Sequence, residues 1–173
     1  MPRIPYHDLR GLPESLLETI RSRPPLNLYR MLPHAVGLMP GFMQMGKAIR
    51  TDTELDPKLR ELVILRTGAL LQASYEVHQH RRVAAQAGVA PDWIEAALRP
   101  GAESALPATE ALLLRLTDAI VQKPRVPDEL FESALKQFGP RQTSEILLIA
   151  GFYMMVSRFL ENTGVEIEAT PAF

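Results

Sequence analysis

Cysteine is absent from the whole 173-residue sequence. That gap removes disulfides, thiolate nucleophiles and zinc–sulfur sites together. Neither sign of charge is in surplus: the formal net charge is −1, and the longest run of Lys or Arg is the pair Arg81–Arg82. A nucleic-acid partner demands a concentrated basic surface to neutralise phosphates, so none is expected. No uninterrupted apolar stretch approaches the roughly 20 residues that span a bilayer. The opening MPRIPYHDLRG has no apolar signal core. A cytoplasmic protein that does not engage a membrane is therefore expected. Also missing are the G-x-S-x-G elbow of serine catalysis and a glycine-rich loop that would cradle phosphate.

What is present describes an ordinary globular protein. The apolar fraction of 46% and charged fraction of 23% match a soluble fold, and the length suits one domain over residues 1–173 with a real core. Helix signals dominate. PESLLETIRSR (13–23) opens with Pro and Glu and ends in arginines. Residues 26–35 and 37–50 read as short helices interrupted by Pro33 and Pro40, the second rich in core-filling methionines. Asp56-Pro57 is an N-cap followed by a first-turn proline, opening the most apolar helix, 57–71. Ser74 is placed to cap a helix that runs to Ala87 and closes at Gly88. Further helices are expected over 91–98, 107–122, 128–138 and 141–162. No segment alternates as a strand would, so the fold class is all-α, with about eight helices. Pro57, ELVIL and Gly68 are echoed at the same spacing by Pro140, EILLI and Gly151. Duplication and mere similarity of two buried helices both account for that echo.

Polar residues then interrupt the apolar pattern. Glu61 sits among Leu59, Leu62, Val63, Ile64 and Leu65 and shares a helical stripe with Leu65, Gly68 and Gln72. A carboxylate there is either paired, for example with Arg60 or Arg66, or raised in pKa. Glu76 and His80 stand four positions apart, on one face of a helix and within reach of each other. Glu76 falls in the first turn, where the helix dipole favours its charge; a carboxylate beside His80 favours the imidazolium, so the pair can move a proton near neutral pH. A capping-turn glutamate beside a surface histidine is the plainer alternative. His78 points about 200° away from His80 around the axis, which makes HQH a poor metal motif. A metal held by Glu61, Glu76 and His80 is a lesser alternative; no metal or other cofactor is expected. Tyr75 either donates to a substrate oxygen or buries its ring. His34, in MLPHA, is a second candidate for lining a substrate pocket.

The run LDPKLRELVILRTGALLQASYEVHQHRRVAAQAGV, residues 55–89, resembles the carboxymuconolactone decarboxylase and alkyl hydroperoxidase D superfamily. Arg60-Glu61-Leu62 matches the opening of its motif, Tyr75-Glu76 the decarboxylase-like "YE", His80 the histidine four residues on, and Ala87-Gly88 the ending. Val77 stands where tryptophan is common. NLYRMLPHAVGLMPGF and SRFLENTGVEIE also look like this family.

The resemblance implies an alkyl hydroperoxidase D-like helical subunit that assembles into a dimer, trimer or hexamer, with the site near a subunit interface. The hydroperoxidase branch needs a C-x-x-C pair, and the matching positions here hold Ala73 and Glu76; without a thiolate nothing attacks a peroxide. A peroxiredoxin label would be an inheritance this chain cannot honour by that mechanism. The decarboxylase branch needs no thiol. It implies a cofactor-free enzyme, of carboxy-lyase or isomerase type, acting on a small lactone or carbonyl acid. His80 and Glu76 would then be general base and acid, with Glu61 orienting or relaying. A non-catalytic oligomeric member of the fold is the alternative.

Overall fold

The structure is a computed structural model that describes residues 1–169. Among the described residues are eight α-helices, two 3₁₀ turns and no strand, as the helix signals require. The helices are α1 (Glu14–Arg21), α2 (Leu28–Met31), α3 (Met39–Thr51), α4 (Pro57–Leu70), α5 (Ser74–Gln86), α6 (Pro91–Leu98), α7 (Ala108–Gln122) and α8 (Asp128–Thr163).

α4 is the centre of the fold. The Asp56 side chain accepts the Lys58 N–H at 2.7 Å and Pro57 takes the first helical position, so the helix starts where the sequence signals place it. Every residue from Arg60 to Gly68 is buried. A helix buried around its whole circumference must be surrounded, and α5, α6, α7 and α8 all pack on α4. Each of its fully buried leucines contributes about 1.5–3 kcal/mol by leaving water.

α8 is two limbs. Gly139, at φ 70° and ψ 172°, breaks the helical path, and Pro140 begins the second limb, where its missing N–H costs nothing. By length and composition α8 would pass for a membrane span; half of its most apolar stretch is buried inside the protein instead. Limb 140–163 reaches both ends of the α4–α5 pair. Glu145 accepts the N–H groups of Glu54 and Leu55 at 3.0 and 2.9 Å, just before α4. Glu161 accepts the Ser74 N–H at 3.0 Å, at the start of α5. Ser74 is thus the first helical residue and not the cap. The cap position is Ala73, which has no side-chain oxygen to offer, and a carboxylate from α8 takes its place.

The link from α4 to α5 is only three residues long. Gln72 adopts φ 55°, a left-handed conformation that costs a non-glycine residue about 1–2 kcal/mol. The Ala73 N–H donates back to the Gly68 carbonyl at 2.8 Å. The chain therefore reverses tightly and lays α5 against α4. Gly68 permits the close approach: a Cβ there would stand 3.2 Å from Val77 Cγ2 and 3.6 Å from Glu76 Cβ. Gly151, its counterpart in the internal echo, has open space around it and serves no such contact.

A second apolar cluster joins Leu28 and Leu32 with Met39 and Met43 of α3, Tyr75 of α5, and Val156 and Leu160 of α8. Phe152 packs against this cluster and against the main core around α4. The seam between the two clusters is where the polar residues of α4 and α5 meet.

Candidate active site

Glu61 and His80 lie 19 positions apart in sequence, and the α4–α5 reversal brings them together. The His80 Nδ1–H donates to Glu61 Oε2 at 2.7 Å, and His80 Nε2 faces Glu76 Oε2 at 3.4 Å across one turn of α5. One imidazole thus stands between two carboxyl groups. Side-chain exposure is 1% for Glu61, 5% for Glu76 and 15% for His80, so the histidine is the member nearest solvent.

The two glutamates are not equivalent. Glu61 Oε1 also accepts from Arg60 Nε at 3.3 Å, and Arg60 is itself held by the Arg50 carbonyl at 3.2 Å. Of the two pairings open to Glu61 in the sequence, the structure has Arg60; Arg66 is engaged elsewhere. Glu76 Oε2 is buried and accepts no hydrogen bond. Burial raises the Glu76 pKa, with the Glu61 charge adding and the His80 charge opposing. For His80, burial works against the imidazolium, but the charge and hydrogen bond of Glu61 together with the charge of Glu76 outweigh it, and its pKa rises. The result is a basic histidine oriented by Glu61, beside a glutamate that favours its neutral form.

Around this pair is a cavity of about 90 Å³. Its walls include Tyr29, Phe42, Arg50, Gln79, Phe152 and Tyr153 as well as Tyr75, Glu76 and His80. Tyr153 meets the His80 ring edge to face at a centroid distance of 5.0 Å, which fixes the imidazole plane. Burial, followed by the charges of Glu76 and Glu61, raises the Tyr153 pKa well above its ordinary value; the phenol stays neutral. The three donors of the lesser metal alternative do not converge on one point. Glu61 addresses Nδ1 and Glu76 addresses Nε2, and these nitrogens point to different sides of the ring. Among the described residues no group of three His, Asp or Glu side chains is arranged around a metal position.

Of the sequence candidates, Glu61, Glu76, His80 and Tyr75 come together at the cavity, and His34 does not. His34 sits in the 3₁₀ turn Leu32–Ala35, exposed, with Nε2 on the Pro5 carbonyl at 2.7 Å and its ring against His7. Pro33 sets that turn and aims the imidazole at the N-terminal segment, so His34 is a structural contact there. His78 is exposed, as its angular position on α5 requires. Tyr75 buries its ring and also donates its hydroxyl, to Glu168 Oε1 at 2.6 Å. Gln79, Tyr153 and Glu168 escaped the sequence reading. Gln79 had a signal, because it lies four positions after Tyr75 as His80 does after Glu76; Tyr153 and Glu168 had none.

The model of the carboxymuconolactone decarboxylase family matches residues 37–119, a span that holds Glu61, Glu76 and His80. No curated protein sequence matches the chain. Among solved structures, the fold is similar to an uncharacterized peroxidase-related protein from Ralstonia eutropha JMP134, described as an alkylhydroperoxidase AhpD core. That match has a TM-score of 0.87 at 19% identity, covering 97% of this chain and 93% of the other. It is also similar to a protein of unknown function from Agrobacterium tumefaciens, described as an AhpD candidate for antioxidant defence. There the TM-score is 0.68 at 17% identity, covering 76% of this chain and 91% of the other.

Proposed function

We propose that this chain, which matches the carboxymuconolactone decarboxylase family model over residues 37–119 and has an AhpD-like fold, is a cofactor-free acid/base enzyme acting on a small lactone or carbonyl acid. One observation carries the reading: an imidazole between two buried carboxyl groups, one paired and one with an empty acceptor oxygen at a cavity. In a decarboxylation or isomerisation of such an acid, a proton moves to or from a carbon beside a stabilising carbonyl. His80, made more basic by Glu61, is the proton carrier at that carbon. Glu76, whose pKa burial raises, is the acid on the same face, able in its protonated form to donate to the carbonyl oxygen as charge develops there. Glu61 fixes the tautomer, since a carboxylate on Nδ1 leaves Nε2 to face the cavity.

Thiol peroxidase chemistry has no nucleophile in a chain without cysteine. Purified protein is expected to show no peroxide turnover with a dithiol reductant in metal-free buffer. The positive test is a screen of lactone and β-keto acids with wild type and His80→Ala. General acid–base catalysis supplies roughly 10²–10⁴-fold, so His80→Ala should lower kcat by about that factor with the helical content unchanged. Equal turnover by the two proteins would return the motif to a structural role.

The same reading includes self-assembly. An apolar hollow of about 500 Å³ opens on the surface between α3 and α8, lined by Leu38, Met39, Phe42, Phe152, Met155 and Phe159. Leu38 and Met155 are exposed there, while Phe42 and Phe152 also wall the His80 cavity. A second copy seated on this face would close the cavity's outer wall, which supports a homo-oligomer with its site at the interface. Light scattering of wild type and Leu38→Glu tests it; a monomeric wild type at micromolar concentration would remove the oligomer from the reading.

A further inference from the structure

Three hydrogen-bond donors converge on one oxygen pair beside the cavity. The Tyr75 hydroxyl donates to Glu168 Oε1 at 2.6 Å, the Asn27 N–H to the same oxygen at 2.6 Å, and Gln79 Nε2 to Glu168 Oε2 at 2.5 Å. Tyr75 and Gln79 are 2% and 4% exposed, and both line the cavity that holds Glu76 and His80. The Gln79 amide is oriented from behind, because Arg82 Nη2 donates to its Oε1 at 2.6 Å; that leaves the NH₂ end facing the carboxylate. A site that turns three donors toward one oxygen pair, two of them on buried side chains, matches an anion with two oxygens.

We propose that Tyr75, Gln79 and the Asn27 N–H form a carboxylate-binding subsite of the His80 cavity, filled in this structure by the chain's own Glu168 and available to the carboxylate of a short acid ligand when Glu168 leaves. The choice of a ligand carrying a carbonyl rests on the acid/base reading above; the subsite itself does not. Glu168 is delivered by a segment that is easy to displace. Gly164 ends α8 at φ 70°, and residues 165–168 have no regular structure. Apart from Glu168 and the packing of Val165 on the second apolar cluster, the segment is tied by exposed contacts: Asn27 Nδ2 to the Glu166 carbonyl at 2.9 Å, the Glu166 N–H to the Tyr6 hydroxyl at 3.0 Å, and the Met1 ammonium to Glu166 Oε1 at 2.9 Å. Such segments open at low cost. The cavity's size points the same way. About 90 Å³ is small for a lactone acid, and departure of the Glu168 side chain from Tyr75 and Gln79, two of the wall residues, would enlarge it.

Spacing on α5 sets the ligand's length. Gln79 lies three positions after Glu76 and one before His80, and side chains three apart stand about 5–6 Å from each other. A carboxylate on Tyr75 and Gln79 therefore carries a carbonyl a few bonds away to Glu76 and His80. Levulinate, a short acid with its ketone on the γ-carbon, has that reach, and its neutral amide tests whether charge matters. Both are titrated calorimetrically into the full chain as wild type, Glu168→Ala and Glu168→Gln, and into Glu168→Ala carrying Tyr75→Phe and Gln79→Leu. A tethered competitor acts at an effective concentration in the millimolar range. Glu168→Ala should thus bind levulinate at least ~10-fold more tightly than wild type, with no gain for the amide, and the added Tyr75 and Gln79 changes should abolish the gain. Glu168→Gln keeps an acceptor for Tyr75 and should show a smaller gain; it carries the test if Glu168→Ala does not fold. Equal levulinate affinity in wild type and both Glu168 variants, an equal gain for the amide, or levulinate binding to none of them would overturn the subsite. A chain that turns over no acid yet shows the gain keeps the subsite and loses the acid/base reading, whereas turnover without the gain does the reverse.

Discussion

Helix α4 carries two buried ionic groups, and they are built in opposite ways. Arg66 is fully buried with its donors placed: Nε on Asp118 Oδ1 at 2.5 Å, Nη2 on Asp118 Oδ2 at 2.7 Å and Glu103 Oε2 at 3.0 Å, and Nη1 on the carbonyls of Ala96 and Ala97 at 3.4 Å. Five positions earlier, and so about 140° around the helix, Glu61 enters the His80 cluster, where Glu76 keeps a buried oxygen with no hydrogen bond. A cluster that uses all its hydrogen-bonding capacity is a strut between α4, α6 and α7. A cluster that leaves a buried acceptor empty pays a stability penalty of about 1–3 kcal/mol, and a fold keeps such a group where a proton or a ligand will use it.

The largest effect expected from that contrast comes from breaking the strut. Asp118→Ala removes the two shortest bonds of a fully buried guanidinium and leaves it Glu103 as its one carboxylate partner; removing a partner from a buried charge pair costs up to about 3–5 kcal/mol. Arg66→Met removes the buried charge itself, and Asp118 and Glu103 are partly exposed and able to hydrate, so it should cost less than Asp118→Ala. His80→Ala, made in the unfilled cluster, should change stability by about 1 kcal/mol, the usual size for a point substitution. Urea unfolding of the three variants measures all of this. If His80→Ala proves as damaging as Asp118→Ala, both clusters are struts.

The next effect is a titration. Burial lowers the His80 pKa, and Glu61 supplies the leading contributions that, with Glu76, raise it on balance; an opposite charge at this range is worth about 1–3 units. Glu61→Gln should therefore move the His80 proton NMR titration, and the ascending limb of any pH–rate profile it controls, to lower pH by about that much. The stability consequence follows from the sign. A histidine whose pKa is raised in the fold stabilises fully below its unfolded value of about 6.5, and that contribution is lost as pH rises through the raised value. The raised Glu76 carboxyl acts in the same sense, since above its unfolded value of about 4.3 the unfolded chain releases the proton first. Both groups make the protein less stable as pH climbs. The melting temperature of wild type should fall between pH 6 and pH 9, and that of His80→Gln carrying Glu76→Gln should fall less. An identical slope would mean that neither group is held as the geometry has it.

What the sequence discloses follows the range of the interaction. Pro57 after Asp56, Gly139 before Pro140 and Gly164 at the end of α8 act within a few residues, and their helix boundaries were legible. The Glu76–His80 pair was legible because helical spacing is fixed, and Glu61 because a carboxylate in an apolar run has few reasons to be there. Contacts between distant segments leave no local mark. His34 looked like a pocket residue beside methionines, but its neighbour in space is Pro5. Glu168 reaches Tyr75 across 93 positions, and nothing in GVEIE announces it. The orientation of Gln79 depends on Arg82 and Glu168 together.

The smallest effect concerns the start of α5, where local and distant capping compete. Ser74 has the residue type and position of an N-cap, yet it lies one residue inside the helix. Its N–H goes to Glu161 Oε1 at 3.0 Å, and its hydroxyl approaches the same oxygen only at 3.5 Å. A carboxylate at a helix start satisfies an orphan N–H and meets the positive end of the dipole, so Glu161 does from α8 what Ser74 was expected to do by itself. Loss of a cap costs about 0.5–2 kcal/mol. Glu161→Ala should therefore cost roughly 1 kcal/mol in urea unfolding, and Ser74→Ala only a few tenths. The site gives the same substitution a second readout. Tyr75 and Glu76 occupy the turn that Glu161 holds, so Glu161→Ala should also speed amide exchange at Tyr75, Glu76 and Val77, while exchange along α4 stays at the rate of global unfolding. If Ser74→Ala proves the costlier change, the cap belongs to Ser74 and the α8 carboxylate is incidental.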